Sequence, residues 1–311
     1  MPESAWPSAF RRWITAARPW ALPASTMPGV FGTSLAVVVG GARADVLRFA
    51  LALLAMVILH SAANMLSDVF DYKRGLDRDV TPVSGAIARG WLPAGAVTRA
   101  AIILFVLGSG IGLGLAAVTG TALLIVGAAG VAVGAGYTLL KYHALGDLAV
   151  FLNFGLLGAL GAWIVQTRAF SWLPVIWTVP MAMLVIAILH ANNWRDAVSD
   201  AERRVRTFAS LLGDKGAEAY YGFLLFGSMA IVLAFVVVPR LIGFGLPALP
   251  WTFGIVLLAL PKAFGLWGRA RRRRAPRQPM DFIILDGATA QYNLLFGSLC
   301  TAALWLWFFI R

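Results

Sequence analysis

The segment LRFALALLAMVILHSAANML, residues 47–66, decides the class of fold. Its length matches the roughly 20 apolar residues that a helix needs to cross a bilayer. The chain contains nine runs of this kind: roughly 21–40, 47–66, 97–116, 119–139, 147–166, 171–191, 219–238, 250–268 and 288–310. The sequence therefore predicts an all-α polytopic membrane protein with nine transmembrane helices.

The composition of the 311 residues excludes other classes of protein. Of these residues, 60% are hydrophobic and 13% are charged, whereas soluble domains have roughly 25% charged residues. The mean hydropathy is +0.79, which fits neither a water-soluble nor a disordered chain. The single cysteine, Cys300, excludes a disulfide-stabilised secreted domain.

The N-terminal segment, residues 1–20, differs from the rest of the chain. It has several arginines and no long apolar stretch, so we do not expect a cleavable signal peptide. Residues 8–20 instead predict an amphipathic helix on the membrane surface, with Trp13 and Trp20 at headgroup level. We therefore expect an interfacial segment followed by a single transmembrane domain, residues 21–311.

The distribution of charge predicts the orientation in the membrane. With the N-terminus in the cytoplasm, most of the 26 Lys and Arg residues lie on the cytoplasmic side, as the positive-inside rule requires. All of the 14 acidic residues except Asp45 lie on that side too, although the rule does not demand it. The basic run 271–274 indicates contact with anionic lipid headgroups rather than with nucleic acid.

Two clusters of carboxylates stand where the second and sixth apolar runs end. Asn64, Asp68 and Asp71 are spaced i, i+4 and i+7, which places them on one helical face. Asn193, Asp196 and Asp200 are spaced i, i+3 and i+7, again on one face. Asn192 is four residues before Asp196 and can replace Asn193 in this set.

These clusters need compensating cations. An Asp near membrane depth costs up to about 2.5–3.5 kcal/mol, and like charges on one helical face repel. We expect the protein itself to supply too little counter-charge, and Mg²⁺ suits the sites because it binds one or two carboxylates and completes its shell with water and phosphate oxygens. The two runs hold the second position in two four-span blocks, so a pseudo-repeat would bring the clusters together across a central cavity.

Four stretches resemble the UbiA-type membrane prenyltransferase superfamily, and within it the branch that prenylates 1,4-dihydroxy-2-naphthoate in menaquinone synthesis. They are ARPWALPASTMPGVFGT (17–33), NMLSDVFDYKRGLD (64–77), YTLLKYHALGDLAVFLNFG (137–155) and NNWRDAVSDAERRVRTFASLLG (192–213). Ser67, Arg204 and Val205 depart from the residues that are usual in these motifs.

The resemblance implies a Mg²⁺-dependent transferase in a bacterial-type inner membrane, with its active site on the cytoplasmic side. The enzyme would move a polyprenyl group from an allylic polyprenyl pyrophosphate to 1,4-dihydroxy-2-naphthoate, with loss of carbon dioxide, giving demethylmenaquinone. The expected metal ligands are Asn64, Asp68, Asp71, Asn193, Asp196 and Asp200, of which the four aspartates are also the expected catalytic residues. The expected substrate contacts are Lys73, Arg74, Asp77, Tyr137, Lys141, Asn192, Arg195 and Arg206.

Alternative functions of two classes remain open. Within the enzyme class, the alternative is prenylation of 4-hydroxybenzoate or another phenol, or farnesylation of haem, although the pattern Asp71-Tyr72…Gly75…Asp77 favours the naphthoate branch. An ion-coupled transporter is an alternative of another class, but its acidic residues should lie near mid-span on broken helices. Here they lie at one end of the spans, which favours an enzyme. Lys141 is either a cation that follows the positive-inside rule or a contact for substrate.

Overall fold

The computed structural model describes residues 7–75, 85–202, 205–242, 245, 247–272 and 285–311. Within these ranges the regular secondary structure is helical, and one isolated β-bridge pairs His143 with Arg206. The all-helical prediction is therefore confirmed for the described part of the chain. Asp77, a predicted substrate contact, and Arg204 lie outside the described residues.

The described ranges contain eleven α-helices in chain order. They are α1 (Ala9–Ala17), α2 (Pro23–Val38), α3 (Val46–Lys73), α4 (Ala94–Thr119), α5 (Thr121–Tyr142), α6 (Gly146–Val150), α7 (Gly158–Thr167), α8 (Leu173–Glu202), α9 (Phe208–Ile242), α10 (Leu260–Arg271) and α11 (Leu285–Ile310). Three further segments are a 3₁₀ turn at Pro19–Ala21, a π-helix at Phe151–Leu157 and a 3₁₀ helix at Trp251–Ala259.

Eight helical segments among the described residues are long and apolar enough to cross a membrane. A ninth span arises if Ala9–Ala21 and α2 are counted together, but these two parts are bent by 55°. α2 alone has 16 residues, fewer than the roughly 20 that a straight span needs. The described residues thus contain eight candidate spans, or nine if the bent pair is one span. The first predicted run is the one whose straight helix is too short to cross a membrane alone.

The helix α1 has the amphipathic character that the sequence predicts. The Ser8 side chain accepts a hydrogen bond from the Arg11 amide and so caps its N-terminus. Phe10, Trp13 and Ile14 are exposed at i, i+3 and i+4 spacing, which places them on one face. This apolar face has the arrangement of a helix that lies in the membrane interface.

The helices pack in an order that supports two related blocks. α3 packs on α4 in the first block, and α8 packs on α9 at the equivalent position in the second. α2 and α7, which hold the first position of each block, pack against each other. Their backbones approach closely at Gly32, where a side chain would collide with the Ala159 carbonyl. This arrangement leaves α3 and α8 facing a common space, as the pseudo-repeat predicts.

Two departures from simple spans shape that space. α3 and α8 continue beyond the predicted apolar runs, so both carboxylate clusters lie within helices rather than in loops. Between α6 and α7 the chain forms the π-helix Phe151–Leu157, whose wider turn changes the direction of the side chains. Asn153 and Phe154 on this segment line the central space.

Candidate active site

A polar cavity of about 120 Å³ lies between the carboxyl-terminal parts of α3, α5 and α8. The first turn of α11 and the residues just before α2 close its remaining side. Its polar lining consists of Arg18, His60, Asn64, Ser67, Tyr137, Lys141, Asn153, Asn192 and Asp286. Residues from both carboxylate-bearing helices therefore border one cavity.

Asp71, in the first cluster, is held by two groups from α5. The Lys141 ammonium donates to Asp71 Oδ2 at 3.1 Å, and the Tyr142 hydroxyl donates to Asp71 Oδ1 at 2.7 Å. The Arg74 guanidinium lies over the Tyr142 ring, 4.2 Å from its centre, in cation–π geometry. Both carboxylate oxygens of a buried aspartate are thus satisfied by another helix.

Asp68 is paired with Arg18, the residue that ends α1 in a left-handed conformation (φ 53°). The chain also approaches Asp68 at Gly85, where an added Cβ would lie only 2.6 Å from Asp68 Oδ2. Asn64 lines the cavity and donates to the Ala17 carbonyl at 3.4 Å. The first cluster therefore fastens the junction between α1 and α2 to the end of α3.

The second cluster is organised around Arg195. Its Nε and Nη2 donate to the two carboxylate oxygens of Asp196, both at 2.8 Å. Its Nη1 donates to Asp286 Oδ2 at 3.1 Å, and Nη2 also contacts the Asn192 side-chain oxygen. Asn192, not Asn193, lines the cavity. Asn193 is buried, and its side-chain oxygen has no hydrogen-bond partner among the described residues.

Lys141 is bonded to the first cluster and lies near the second. Besides its bond to Asp71, its ammonium is close enough to Asp200 for an electrostatic interaction, and it lines the cavity beside Tyr137. Asp200 is buried. Lys141 thus lines the cavity and is bonded to Asp71, whereas the four aspartates themselves are not among the cavity's lining residues. A residue serving only the positive-inside rule would not require this position.

The expectation that the protein supplies too little counter-charge is wrong for three of the four aspartates. Asp68, Asp71 and Asp196 each form an ion pair, with Arg18, Lys141 and Arg195 respectively. Two of these cations come from distant parts of the chain, so helical spacing around the aspartates gave no sign of them. An added cation must therefore share or displace these partners.

The donor set nevertheless fits Mg²⁺. In the described ranges no three His, Cys, Asp or Glu side chains come close enough together to hold a metal. Mg²⁺ needs only one or two carboxylates when water and phosphate oxygens complete its shell. Each cluster offers two aspartates within two helical turns, and basic side chains that suit phosphate lie beside them.

The remaining predicted contacts lie at the margin. Lys73 and Arg206 are exposed, and neither lines the cavity. Arg206 contributes its backbone carbonyl, which accepts a hydrogen bond from the Ala144 amide at 2.8 Å.

Three residues that surround the aspartates were not predicted: Arg18, Tyr142 and Asp286. Arg18 stands in the quoted motif 17–33, and Asp286 is one of the acidic residues that the sequence predicts on the same side of the membrane as both clusters. Both signals were therefore present in the sequence.

A second, apolar cavity of about 160 Å³ continues from the polar one. The two cavities share His60, Ala63, Gly134, Asn153 and Phe154. The rest of the second cavity is lined mostly by apolar residues of α3, α5 and α7, together with side chains of α4. The candidate site thus combines a charged compartment with an apolar extension toward the middle of the bundle.

The two buried histidines are hydrogen-bonded within the bundle. His60 Nδ1 lies 2.8 Å from Ser25 Oγ, and its ring stacks on Phe154 with centroids 4.2 Å apart. His190 Nε2 lies 2.9 Å from the Ala217 carbonyl oxygen. His60 borders both cavities, so it stands where the charged compartment passes into the apolar one.

The model of the UbiA prenyltransferase family matches residues 25–285, which include both aspartate clusters and the whole lining of the apolar cavity. The chain belongs to this family. Similarity to individual members of the family extends over nearly the whole length of this chain. A Drosophila melanogaster protein, "UbiA prenyltransferase domain-containing protein 1 homolog", is 31% identical, covering 94% of this chain and 79% of that protein.

A bacterial member of the family is similar to the same degree. The "1,4-dihydroxy-2-naphthoate octaprenyltransferase" of Bacillus subtilis is 30% identical, covering 94% of this chain and 91% of that protein. Among solved structures, a UbiA homolog from Archaeoglobus fulgidus bound to DMAPP and Mg²⁺ matches with a TM-score of 0.63 at 12% identity, covering 96% of this chain and all of that one. The apo UbiA homolog from Aeropyrum pernix gives 0.64 at 18% identity, covering 91% and 97%. These structures show the shared fold.

Proposed function

We propose that this chain transfers a polyprenyl group from an allylic polyprenyl pyrophosphate to 1,4-dihydroxy-2-naphthoate, giving pyrophosphate, carbon dioxide and the hydroquinone form of demethylmenaquinone. The observation that carries the proposal is the joined pair of cavities. A substrate with an anionic head and a long apolar tail needs a charged compartment that opens into an apolar one. The two cavities meet at His60 and Phe154, so a charged compartment opens there into an apolar one.

The charged compartment is suited to a pyrophosphate leaving group. Arg18, Lys141 and Arg195 bring three cations to the aspartates, and the two arginines offer planar forks for bidentate contact with phosphate oxygens. Mg²⁺, when held by Asp68 and Asp71 on one side and by Asp196 and Asp200 on the other, would neutralise charge that develops on the leaving group. We propose Asn64, Asn192 and Asn193 as further oxygen donors around these aspartates.

The reaction needs the allylic carbon–oxygen bond to break with its electron pair going to pyrophosphate. The ring carbon that bears the acceptor's carboxylate then bonds to the allylic carbon, and this carboxylate leaves as carbon dioxide while its electron pair returns to the ring. Tyr137 lines the compartment where the cation would form, and its ring can stabilise positive charge. The apolar extension excludes water, which would otherwise capture the cation.

Several observations support this acceptor and this location. The Bacillus subtilis relative carries the naphthoate reaction in its name, and the Archaeoglobus fulgidus homolog binds a prenyl diphosphate with Mg²⁺. We propose that α1 lies on the cytoplasmic surface of a bacterial-type inner membrane, and that nine spans place the site on that side. The exposed Phe10 and Trp13 and the basic residues beside them support the surface position of α1.

An acceptor panel tests the proposal. Purified protein in detergent receives Mg²⁺, a long-chain prenyl pyrophosphate and either 1,4-dihydroxy-2-naphthoate or 4-hydroxybenzoate. We expect kcat/KM for the naphthoate to be at least about tenfold higher, with one carbon dioxide released per prenyl group transferred. Faster reaction of 4-hydroxybenzoate would identify the other acceptor, and full turnover in excess chelator would contradict the metal-assisted step.

The apolar extension has its own test. Gly127 lines it on α5, seven residues and about 10 Å beyond the shared Gly134. Gly127→Leu should lower kcat/KM for a long-chain donor by about tenfold while sparing a short-chain donor, because the leucine fills the distal part of the slot. Gly114→Leu is the matched control, since Gly114 is exposed on α4 and does not line the cavity. Equal losses for both donors, or in both variants, would argue against the slot.

A further inference from the structure

Asp286 belongs to neither aspartate cluster, yet it lines the polar cavity. It is the second residue of α11, and its Oδ1 accepts a hydrogen bond from the Gly287 amide at 2.8 Å. Its other oxygen, Oδ2, accepts from Arg195 at 3.1 Å. One carboxylate oxygen is thus fixed to the start of α11, while the other holds a cation of α8.

Arg195 is shared between two carboxylates that compete for it. Its Nε and Nη2 occupy both oxygens of Asp196, and its Nη1 is directed to Asp286. The guanidinium side chain is only 9% exposed, so it has little access to water as an alternative partner. Because Arg195 donates to both oxygens of Asp196, a divalent cation that binds Asp196 must share an oxygen with Arg195 or displace it.

We infer that Asp286 is a positioning residue that keeps Arg195 beside the cavity-lining Asn192 when a divalent cation takes over Asp196. This inference rests on the proposed function. When the cation has taken Asp196, the Arg195 guanidinium still contacts Asp286, which is charged, and Asn192, which is neutral. Its Nε, which now donates to Asp196, is then available to a phosphate oxygen. Without Asp286, Arg195 has Asp196 as its charged partner in this group and competes with the metal more strongly.

The variant Asp286→Asn isolates this role. Asparagine has the same shape and can still accept the Gly287 hydrogen bond through its oxygen, but it lacks the charge that attracts Arg195. We expect the Mg²⁺ concentration at half-effect to rise at least fivefold. Asp286→Glu, which restores the charge, should return it to within twofold of the natural protein.

The experiment measures thermal unfolding of purified protein in detergent across a Mg²⁺ titration, since a cation that binds the folded state raises the unfolding temperature once its concentration exceeds its Kd. Mg²⁺ activation of prenyl transfer at saturating donor is measured in parallel. Asp45→Asn is the matched control, because Asp45 also pairs with an arginine, Arg48, but at the other end of the bundle. Its Mg²⁺ midpoint should not change.

The double variant Arg195→Gln/Asp286→Asn separates positioning from direct action on the metal. If Asp286 acts through Arg195, Asp286→Asn should change the midpoint by less than twofold in the Arg195→Gln background. An undiminished effect there would make Asp286 a direct metal contact and overturn the inference, as would an unchanged midpoint in Asp286→Asn alone. If Mg²⁺ leaves the unfolding temperature of the natural protein unchanged, the metal-assisted function fails together with the inference.

Discussion

The two aspartate clusters have similar sequences and different surroundings. Asp68 and Asp71 at the end of α3 are neutralised by Arg18 and Lys141, which come from other parts of the chain. Asp196 at the end of α8 is neutralised by its neighbour Arg195. The first cluster therefore depends on how several helices pack, whereas the second carries its own cation. Similar spacing of carboxylates does not imply similar electrostatic support.

The largest expected effect is the loss of turnover when an aspartate of either cluster is replaced, and it tests whether both clusters take part in catalysis. Asp68→Ala, Asp71→Ala, Asp196→Ala and Asp200→Ala should each lower kcat by at least roughly a hundredfold, the scale of losing a main contact to transition-state charge. Prenyl transfer at saturating donor and acceptor is the measurement. If either cluster tolerates alanine with near-normal turnover, the two clusters do not share one pyrophosphate.

We expect alanine variants of the two clusters to differ in folding stability, even where they lose activity to a similar extent. Asp71→Ala leaves Lys141, a side chain with 12% exposure, without its ion-pair partner, and breaking a buried pair costs about 3–5 kcal/mol. Asp196→Ala leaves Arg195 paired with Asp286, so we expect a smaller loss. Thermal unfolding of the two variants checks this order.

A double variant is the control for that comparison. Asp71→Ala combined with Lys141→Met removes both charges and should recover most of the lost unfolding temperature. A double variant no more stable than Asp71→Ala would mean that the cost comes from the Tyr142 hydrogen bond or from packing instead.

The single variant Lys141→Met tests whether the cation that pairs with Asp71 also contacts a substrate. Methionine keeps the apolar bulk of the lysine stem and removes the charge. The KM for the donor or for the acceptor should rise about tenfold, roughly 1.4 kcal/mol of lost binding, and the KM that changes identifies the substrate in contact. Steady-state kinetics with both substrates varied is the measurement. Unchanged KM values and kcat would leave Lys141 as a structural partner of Asp71.

The smallest expected effect concerns the close approach of Gly85 to Asp68. Gly85→Ala places a methyl group 2.6 Å from Asp68 Oδ2, so the carboxylate must move away from its place beside Arg18. We expect kcat/KM to fall about threefold to tenfold. Gly95→Ala is the control, because an added Cβ there has no neighbour within 4 Å. A neutral Gly85→Ala variant would show that Asp68 tolerates displacement.

Much of the site could be predicted because membrane helices simplify the problem. Apolar length predicts the spans, and helical periodicity places Asn64, Asp68 and Asp71 on one face. Periodicity could not choose between Asn192 and Asn193, since neighbouring residues on a helix point about 100° apart and only packing decides which of them meets the cavity. It also missed Arg18 and Asp286, whose partners lie far away in sequence.

The sequence by itself determined the helical membrane class, the approximate positions of eight of the nine predicted spans, the two carboxylate clusters and the family resemblance. These features depend on local length, periodicity and residue type, which a linear chain displays directly. The tertiary structure decided which cation pairs with each aspartate, which asparagine reaches the cavity and how the charged compartment joins the apolar one. These features arise from contacts between helices, because the direction and distance of a side chain from a remote segment exist only after packing.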